Sequence, residues 1–230
     1  MITRLLAPVA LLLAPAAKAD ERTVMVTGFD GVRVEGPFAV DIATGTAATA
    51  TISGDARAVD SVDVRVDDRI LVVTVNSSAW GGWPGDTPER PRIAVATPRL
   101  QSVVLNGSGR VAVDRLRGQE VAVTLTGSGA IAIGEVDADD LRASLAGTGT
   151  IALAGDARRA RFTASGAGSY DAADLMVGDL TVLAESGGDS SFRSRGTAAV
   201  TATGMGAISV AGTAPCDITG PGTVLCEGDR

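Results

Sequence analysis

Residues Thr124–Ile133 read TLTGSGAIAI: alternating apolar residues, a Gly-Ser-Gly corner, then alternating apolar residues again. Leu125 lies two before Gly127, and Ile131 and Ile133 lie two and four after Gly129. Period two on both sides of a sharp turn describes two strands, each with one face inward. Glycine suits the corner because it accepts positive φ and lets neighbouring backbones approach closely.

The same layout recurs down the chain. The corners are Gly107-Ser-Gly109, Gly127-Ser-Gly129, Gly147-Thr-Gly149, Gly166-Ala-Gly168, Ser186-Gly-Gly188, Gly204-Met-Gly206 and Gly220-Pro-Gly222. Their first residues are 20, 20, 19, 20, 18 and 16 positions apart. Repetition at that period is the signature of a solenoid, in which each unit buries its apolar face against the next. The inward slots before the corners hold pairs such as Val103/Leu105, Val123/Leu125, Phe162/Ala164 and Cys216/Ile218, and those after hold Ile131/Ile133, Ile151/Leu153, Tyr170/Ala172 and Val224/Cys226. The charged segments Asp114–Gln119, Glu135–Asp140, Asp156–Arg161 and Asp171–Gly178 read as looser, solvated second turns of each coil. The expected fold is therefore all-β: a parallel β-helix-like solenoid of stacked coils of about 20 residues.

The first third follows a less regular version. Val32 and Val34 precede Gly36-Pro37-Phe38, and Val40 and Ile42 follow it. Short strands are expected around Ala48–Ile52, Val59–Val66 and Ile70–Val75, with Asp67-Asp68 turning between the last two. A Gly/Pro-rich break, Ser77–Pro91, carries Trp80 and Trp83, and a strand resumes at Ile93–Ala96. This third reads as the N-terminal coils or cap of one domain spanning 20–230, with a separate small β domain as the alternative. Trp80 and Trp83 are candidate partner contacts, since exposed aromatics stack on sugars or anchor a protein; the alternative is a plug over the end of the solenoid.

Residues 1–19 read as a secretory signal peptide, with Arg4, an apolar stretch Leu5–Ala14 and the cleavage motif Ala17-Lys18-Ala19. Its removal takes away Arg4 and Lys18, the only lysine, and moves the formal charge from −7 to −9. An acidic chain without a basic run is a poor nucleic-acid binder, and no apolar run of 18 residues marks a transmembrane segment. Export to the periplasm, cell surface or exterior is the expected localisation.

Histidine is absent, so His-based triads, acid–base catalysis and His metal sites are excluded, and a chain without lysine offers no Schiff base. Ser108 and Ser128 share a slot that elsewhere holds Thr, Ala, Gly, Met or Pro, which suits a corner and not a nucleophile. Asp137, Asp139 and Asp140, and Asp171 and Asp174, are the carboxylate groups that a calcium site or a polysaccharide-acting enzyme would draw on; a solvated acidic turn is the preferred reading. No catalytic, cofactor or metal site is assigned. Cys216 and Cys226, four residues outside the last corner's glycines, are expected to form a disulfide in an exported chain. Facing sheets lie about 10 Å apart, whereas a disulfide needs Cα atoms within about 7 Å. The terminal coil, 211–230, is therefore expected to pinch into a hairpin.

Gly28–Val34 (GFDGVRV), Ser53-Gly54-Asp55, Thr97–Leu100 (TPRL) and the serial Gly-Ser/Thr-Gly corners together resemble the head GIN domain family of auto-transporter adhesins, over about Phe29 to Val210. Ser186 in a glycine slot and the terminal cysteine pair depart from its pattern. The resemblance implies a β-helix-like fold and brings no catalytic motif. The function expected is an exported, non-enzymatic, adhesin-like binding or structural module of the cell envelope, with carbohydrate or protein as partner. A carboxylate-based polysaccharide enzyme and a self-associating structural element are the alternatives. The sequence does not specify the oligomeric state.

Overall fold

The computed structural model describes residues 20–76 and 91–228. Residues 1–19, expected to be a signal peptide, and Trp80 and Trp83 lie outside the described residues. The regular part is a stack of long strands: β9 (Arg110–Gly127), β10 (Ala130–Gly147), β11 (Thr150–Gly166), β12 (Ser169–Ser186) and β13 (Ser190–Ala202). Each pairs parallel with the next, so that Val111 lies beside Ile131, Ile131 beside Ile151 and Ile151 beside Tyr170. The result is a β-solenoid of about six turns. Parallel in-register stacking is what a period-20 alternation enforces. A slip of one residue would turn every inward Val, Ile and Leu to solvent, at about 1.5–3 kcal/mol per side chain.

The charged segments are not loops. β9 to β12 run through them without interruption, and the alternation of burial is broken only at two places per coil. In β9, Asp114 and Arg115 are consecutively exposed, Leu116 is buried, and Gln119 and Glu120 are again consecutively exposed. Consecutive outward residues mark a bend, so each coil has three sides. A first leg (Val121–Thr126) leads into the glycine corner, a second leg (Arg110–Val113) leads out of it, and a short third side closes the coil. The third side has its own core residues, Leu116, Val136 and Leu175 among them. The expectation of solvated turns missed these because one buried residue in a charged segment carries no visible period.

The N-terminal third is built on the same stack. β2 (Gly31–Glu35) pairs parallel with β8 (Ser102–Gly107), and β3 (Ala39–Thr44) pairs parallel with β9, so Gly36-Pro37-Phe38 is the corner below Gly107-Ser108-Gly109. β6 (Ile70–Val75) and β7 (Arg92–Thr97) form the two legs below that. Three antiparallel strands then close the end: β5 (Val62–Asp67) on β6, β4 (Thr49–Gly54) on β7, and β1 (Asp20–Val24) on β4. Residues 56–60, expected to be partly strand, form one helical turn, α1 (Ala56–Asp60), because the Asp55 carboxylate accepts from the Ala58 N–H at 2.7 Å and caps it. The turn between β5 and β6 is carried by Asp68 and Arg69, both at positive φ. All sixteen strands among the described residues belong to one sheet, and one apolar cluster runs from Phe29 to Ala214.

The C-terminal end is different. β14 (Ile208–Gly212), β15 (Cys216–Thr219) and β16 (Val224–Cys226) continue the parallel pairing on β13 and on one another's predecessors. β15 and β16 do not pair with each other, so the terminal coil is not a hairpin. The disulfide Cys216–Cys226 nevertheless forms, with Cα atoms 6.5 Å apart. Nothing stacks on this coil among the described residues: Ile218, at a slot that is buried in every earlier coil, is 43% exposed, and Leu225 is 64% exposed.

The corner glycines divide their work. Gly107, Gly127, Gly147 and Gly166 have φ between +105° and +128°. The second glycines do not; they face inward, and a Cβ on Gly129 would sit 2.6 Å from the Gly109 carbonyl oxygen. Ser186 takes a first-glycine slot with its hydroxyl turned into the turn, donating to the Gly168 carbonyl at 2.6 Å and accepting from the Gly188 N–H at 3.2 Å. The residue between the glycines is exposed at every corner from Ser108 to Pro221.

Candidate functional site

Polar side chains converge on the third side of the stack. A cleft of about 720 Å³ runs there from coil to coil. One wall is made by the turns Thr44-Gly45 and Pro98–Leu100; the floor is the third side of three successive coils, around Arg117, Asp137–Asp139 and Asp156–Arg158; Arg195 closes the far end. The Thr97–Gln101 turn is rigidly held. Thr97 is fully buried and its hydroxyl donates to the Phe29 carbonyl at 2.7 Å and the Arg99 carbonyl at 3.2 Å. The Arg117 N–H donates to the Leu100 carbonyl at 3.0 Å. Leu100 fills the core below, which leaves Arg99 outward. Opposite, the Thr44 N–H donates to both Asp114 carboxylate oxygens at 3.0 Å.

The charges form rungs between coils. Arg115 meets Glu135 at 2.6 Å, Arg117 meets Asp137 at 3.0 Å, and Arg158 meets Asp139 at 2.9 Å. Arg159 and Asp140 make two parallel bonds of 2.7 and 2.6 Å, and Arg195 reaches Asp156 at 3.4 Å. The hydrogen bond from Arg159, more than its charge, holds the Asp140 carboxyl below its ordinary range; the bonds to Glu135 and Asp140 raise Arg115 and Arg159 further. Apart from the half-buried Asp140 these groups are well exposed to solvent, so each pair contributes little to stability and opens readily to a competing partner.

This arrangement accounts for the acidic clusters. Asp137, Asp139 and Asp140 do not converge on a common point; each faces an arginine of a neighbouring coil. Asp171 accepts from the Ser191 hydroxyl at 3.3 Å. Among the described residues no group of three or more acidic or cysteine side chains is placed to hold a metal ion. Carbohydrate cleavage by two carboxylates requires one of them to be held protonated by a raised pKa; Asp140 is moved in the opposite direction. The arginines of the cleft were not singled out from the sequence. Their signal was present in the repeat: Arg115 and Glu135, and Arg117 and Asp137, are 20 residues apart, one coil. Among the described residues no helix is long and apolar enough to cross a membrane.

Comparison with solved structures places the architecture. A "putative adhesin" from Bacteroides fragilis superposes with a TM-score of 0.81 at 19% identity, covering 92% of this chain and 97% of that one. A "putative adhesin" from Parabacteroides merdae gives 0.63 at 19% identity, covering 91% and 96%, and a "putative lipid binding protein" from Parabacteroides distasonis gives 0.65 at 18% identity, covering 91% and 97%. At these identities the likeness is one of fold. No curated protein matches the sequence significantly. The model of the family described as "Putative auto-transporter adhesin, head GIN domain" matches residues 28–214, and the chain belongs to that family.

Proposed function

We propose that the protein is an exported, non-enzymatic, adhesin-like binding module of the cell envelope that meets carbohydrate or protein along the charged cleft of its third side. The observation that carries this reading is the cleft itself: exposed arginine–carboxylate pairs held in a concavity on a backbone fixed by parallel ladders, so that little order is lost on binding. A disulfide is at home in an oxidising compartment, which supports export beyond the cytoplasm. The family description supports adhesion over catalysis. Trp80 and Trp83 are proposed as a second contact.

The test is co-sedimentation of the purified protein with isolated bacterial envelopes. Arg117→Glu with Arg158→Glu should abolish it, and a Trp80→Ala/Trp83→Ala variant measures the contribution of the second contact. Envelope binding unaffected by reversing the two cleft arginines would sink the cleft as the contact surface. Self-association is favoured by one observation, the unstacked terminal coil with Ile218 and Leu225 exposed. Light scattering that gives a monomer at every protein concentration would end that second reading.

A further inference from the structure

The chain as a whole is acidic, with 27 Asp and Glu against 20 Lys and Arg. The cleft departs from that balance: of its five arginines, Arg115, Arg117, Arg158 and Arg195 are paired with Glu135, Asp137, Asp139 and Asp156, which leaves Arg99 as the uncompensated charge. Arg99 is the sharpest of them. Its backbone is fixed by the buried Thr97 hydroxyl, its side chain is exposed at the cleft wall, and it has no ion-pair partner among the described residues. A cation without an ion-pair partner on a fixed stretch of backbone, beside pairs that open readily, favours an anionic ligand.

Resting on the reading of the cleft as the contact surface, we propose that its ligand is a linear polysaccharide bearing carboxylates, a polyuronate. Three features select this class. The cleft arginines already engage carboxylates, Arg117 with Asp137, Arg158 with Asp139 and Arg195 with Asp156, so a ligand carboxylate can take the place of an aspartate at the same donor. The aspartates that remain accept hydrogen bonds from sugar hydroxyls, which a lining of arginine alone would not offer. The charged positions recur from coil to coil, about 4.8 Å apart along the stack. Arg117, Asp137, Asp156 and Arg195 sit on β9, β10, β11 and β13 and so spread over four coil spacings, about 19 Å. A chain with one carboxylate and several hydroxyls per ring engages that series; a single small anion engages one rung.

The experiment is affinity electrophoresis of the purified, oxidised protein in gels cast with polygalacturonate, dextran sulfate or neutral dextran. Polygalacturonate should retard the protein, the effect should weaken with salt, and neutral dextran should not. Arg99→Gln should weaken retardation about tenfold, the scale of one charge-assisted bond. Arg117→Gln should act similarly, and the far Arg65→Gln, with the same change in charge, should not. Equal or stronger retardation by dextran sulfate would reduce the effect to charge alone and overturn the carboxylate assignment, as would retardation by neutral dextran or indifference to Arg99→Gln. If no polyanion binds but the cleft variants still lose envelopes, the ligand class fails and the cleft stands. If envelope binding survives the cleft variants, the surface itself is wrong.

Discussion

Replacing Gly129 with Ala places a methyl carbon 2.6 Å from the Gly109 carbonyl oxygen and 2.8 Å from a Leu105 methyl. The oxygen cannot retreat, because it accepts the Ala130 N–H at 2.9 Å and belongs to the coil below. The cost falls in the overpacking range, about 1–3 kcal/mol. Gly127 is at φ +121° with a would-be Cβ 2.4 Å from the Gly107 oxygen, so Gly127→Ala adds backbone strain of about 1–3 kcal/mol to a similar clash. Gly45 isolates the strain: its φ is +87° with nothing within 4 Å, and Gly45→Ala should cost about 1–2 kcal/mol. Ser128→Ala, exposed between two glycines, should change stability by less than about 0.5 kcal/mol. The measurement is urea and thermal unfolding with the disulfide intact, where each kcal/mol moves Tm by about 2–4 °C at this length. The order expected is Gly127→Ala worst, then Gly129→Ala and Gly45→Ala, then Ser128→Ala. Gly129→Ala within 0.5 kcal/mol of wild type, or Gly45→Ala as costly as Gly127→Ala, would refute the division between space and conformation.

Phe162 is fully buried against Tyr170 and Phe192, with ring centroids 5.1 and 4.8 Å away, and Phe162→Ala should cost about 3–5 kcal/mol in urea. Burial raises the Tyr170 phenol, against a smaller opposing effect of its bond to the Thr163 carbonyl. The folded chain then keeps a proton that the unfolded chain releases near pH 10, so stability should fall as pH rises above about 10. Tyr170→Phe should remove that contribution, and because Tyr170 is the only tyrosine, absorbance at alkaline pH reports it directly. Asp140 works the other way: its lowered pKa adds stability above the ordinary carboxylate range, lost as pH falls through the folded value. An acid titration of unfolding should show that part missing in Arg159→Gln. Reducing Cys216–Cys226, which closes ten residues, should cost about 3 kcal/mol, read by hydrogen exchange confined to the last coil.

The solenoid was legible because its signal is redundant. Leu125, Ile131 and Ile133 repeat in register at every coil, and no other arrangement buries all of them at once. The third side was not legible, since Leu116 and Val136 are single apolar residues among charges. The division between the corner glycines was not legible either: two glycines per corner look alike in sequence, whereas Gly127 takes the positive φ and Gly129 yields space to the Gly109 oxygen. The cleft was hidden for a different cause. Arg99 is placed by a turn whose geometry depends on Thr97 reaching Phe29, 68 residues away, and no local pattern announces such a contact.

The disulfide shows how a correct pairing was reached with an incorrect geometry. The objection that opposite legs lie too far apart assumes coils of constant width. The inward slots that flank the third side are eight positions apart at Val113 and Val121, and again at Ala172 and Leu180. They are six apart at Phe192 and Ala198, and six at Val210 and Cys216. The step of 18 between corners is therefore the record of a shorter third side, not of an irregular turn, and the step of 16 keeps that shorter side. The last step also shortens the first leg, because Cys216 to Thr219 pair with Ala198 to Thr201 and Gly220 then turns above Ala202. With the third side at six positions, the slots that pair with Ala198 and Val210 of the preceding coil hold Cys216 and Cys226, whose Cα atoms are 6.5 Å apart. The bridge thus closes a narrowing stack while both strands keep their parallel pairing, and no hairpin is needed.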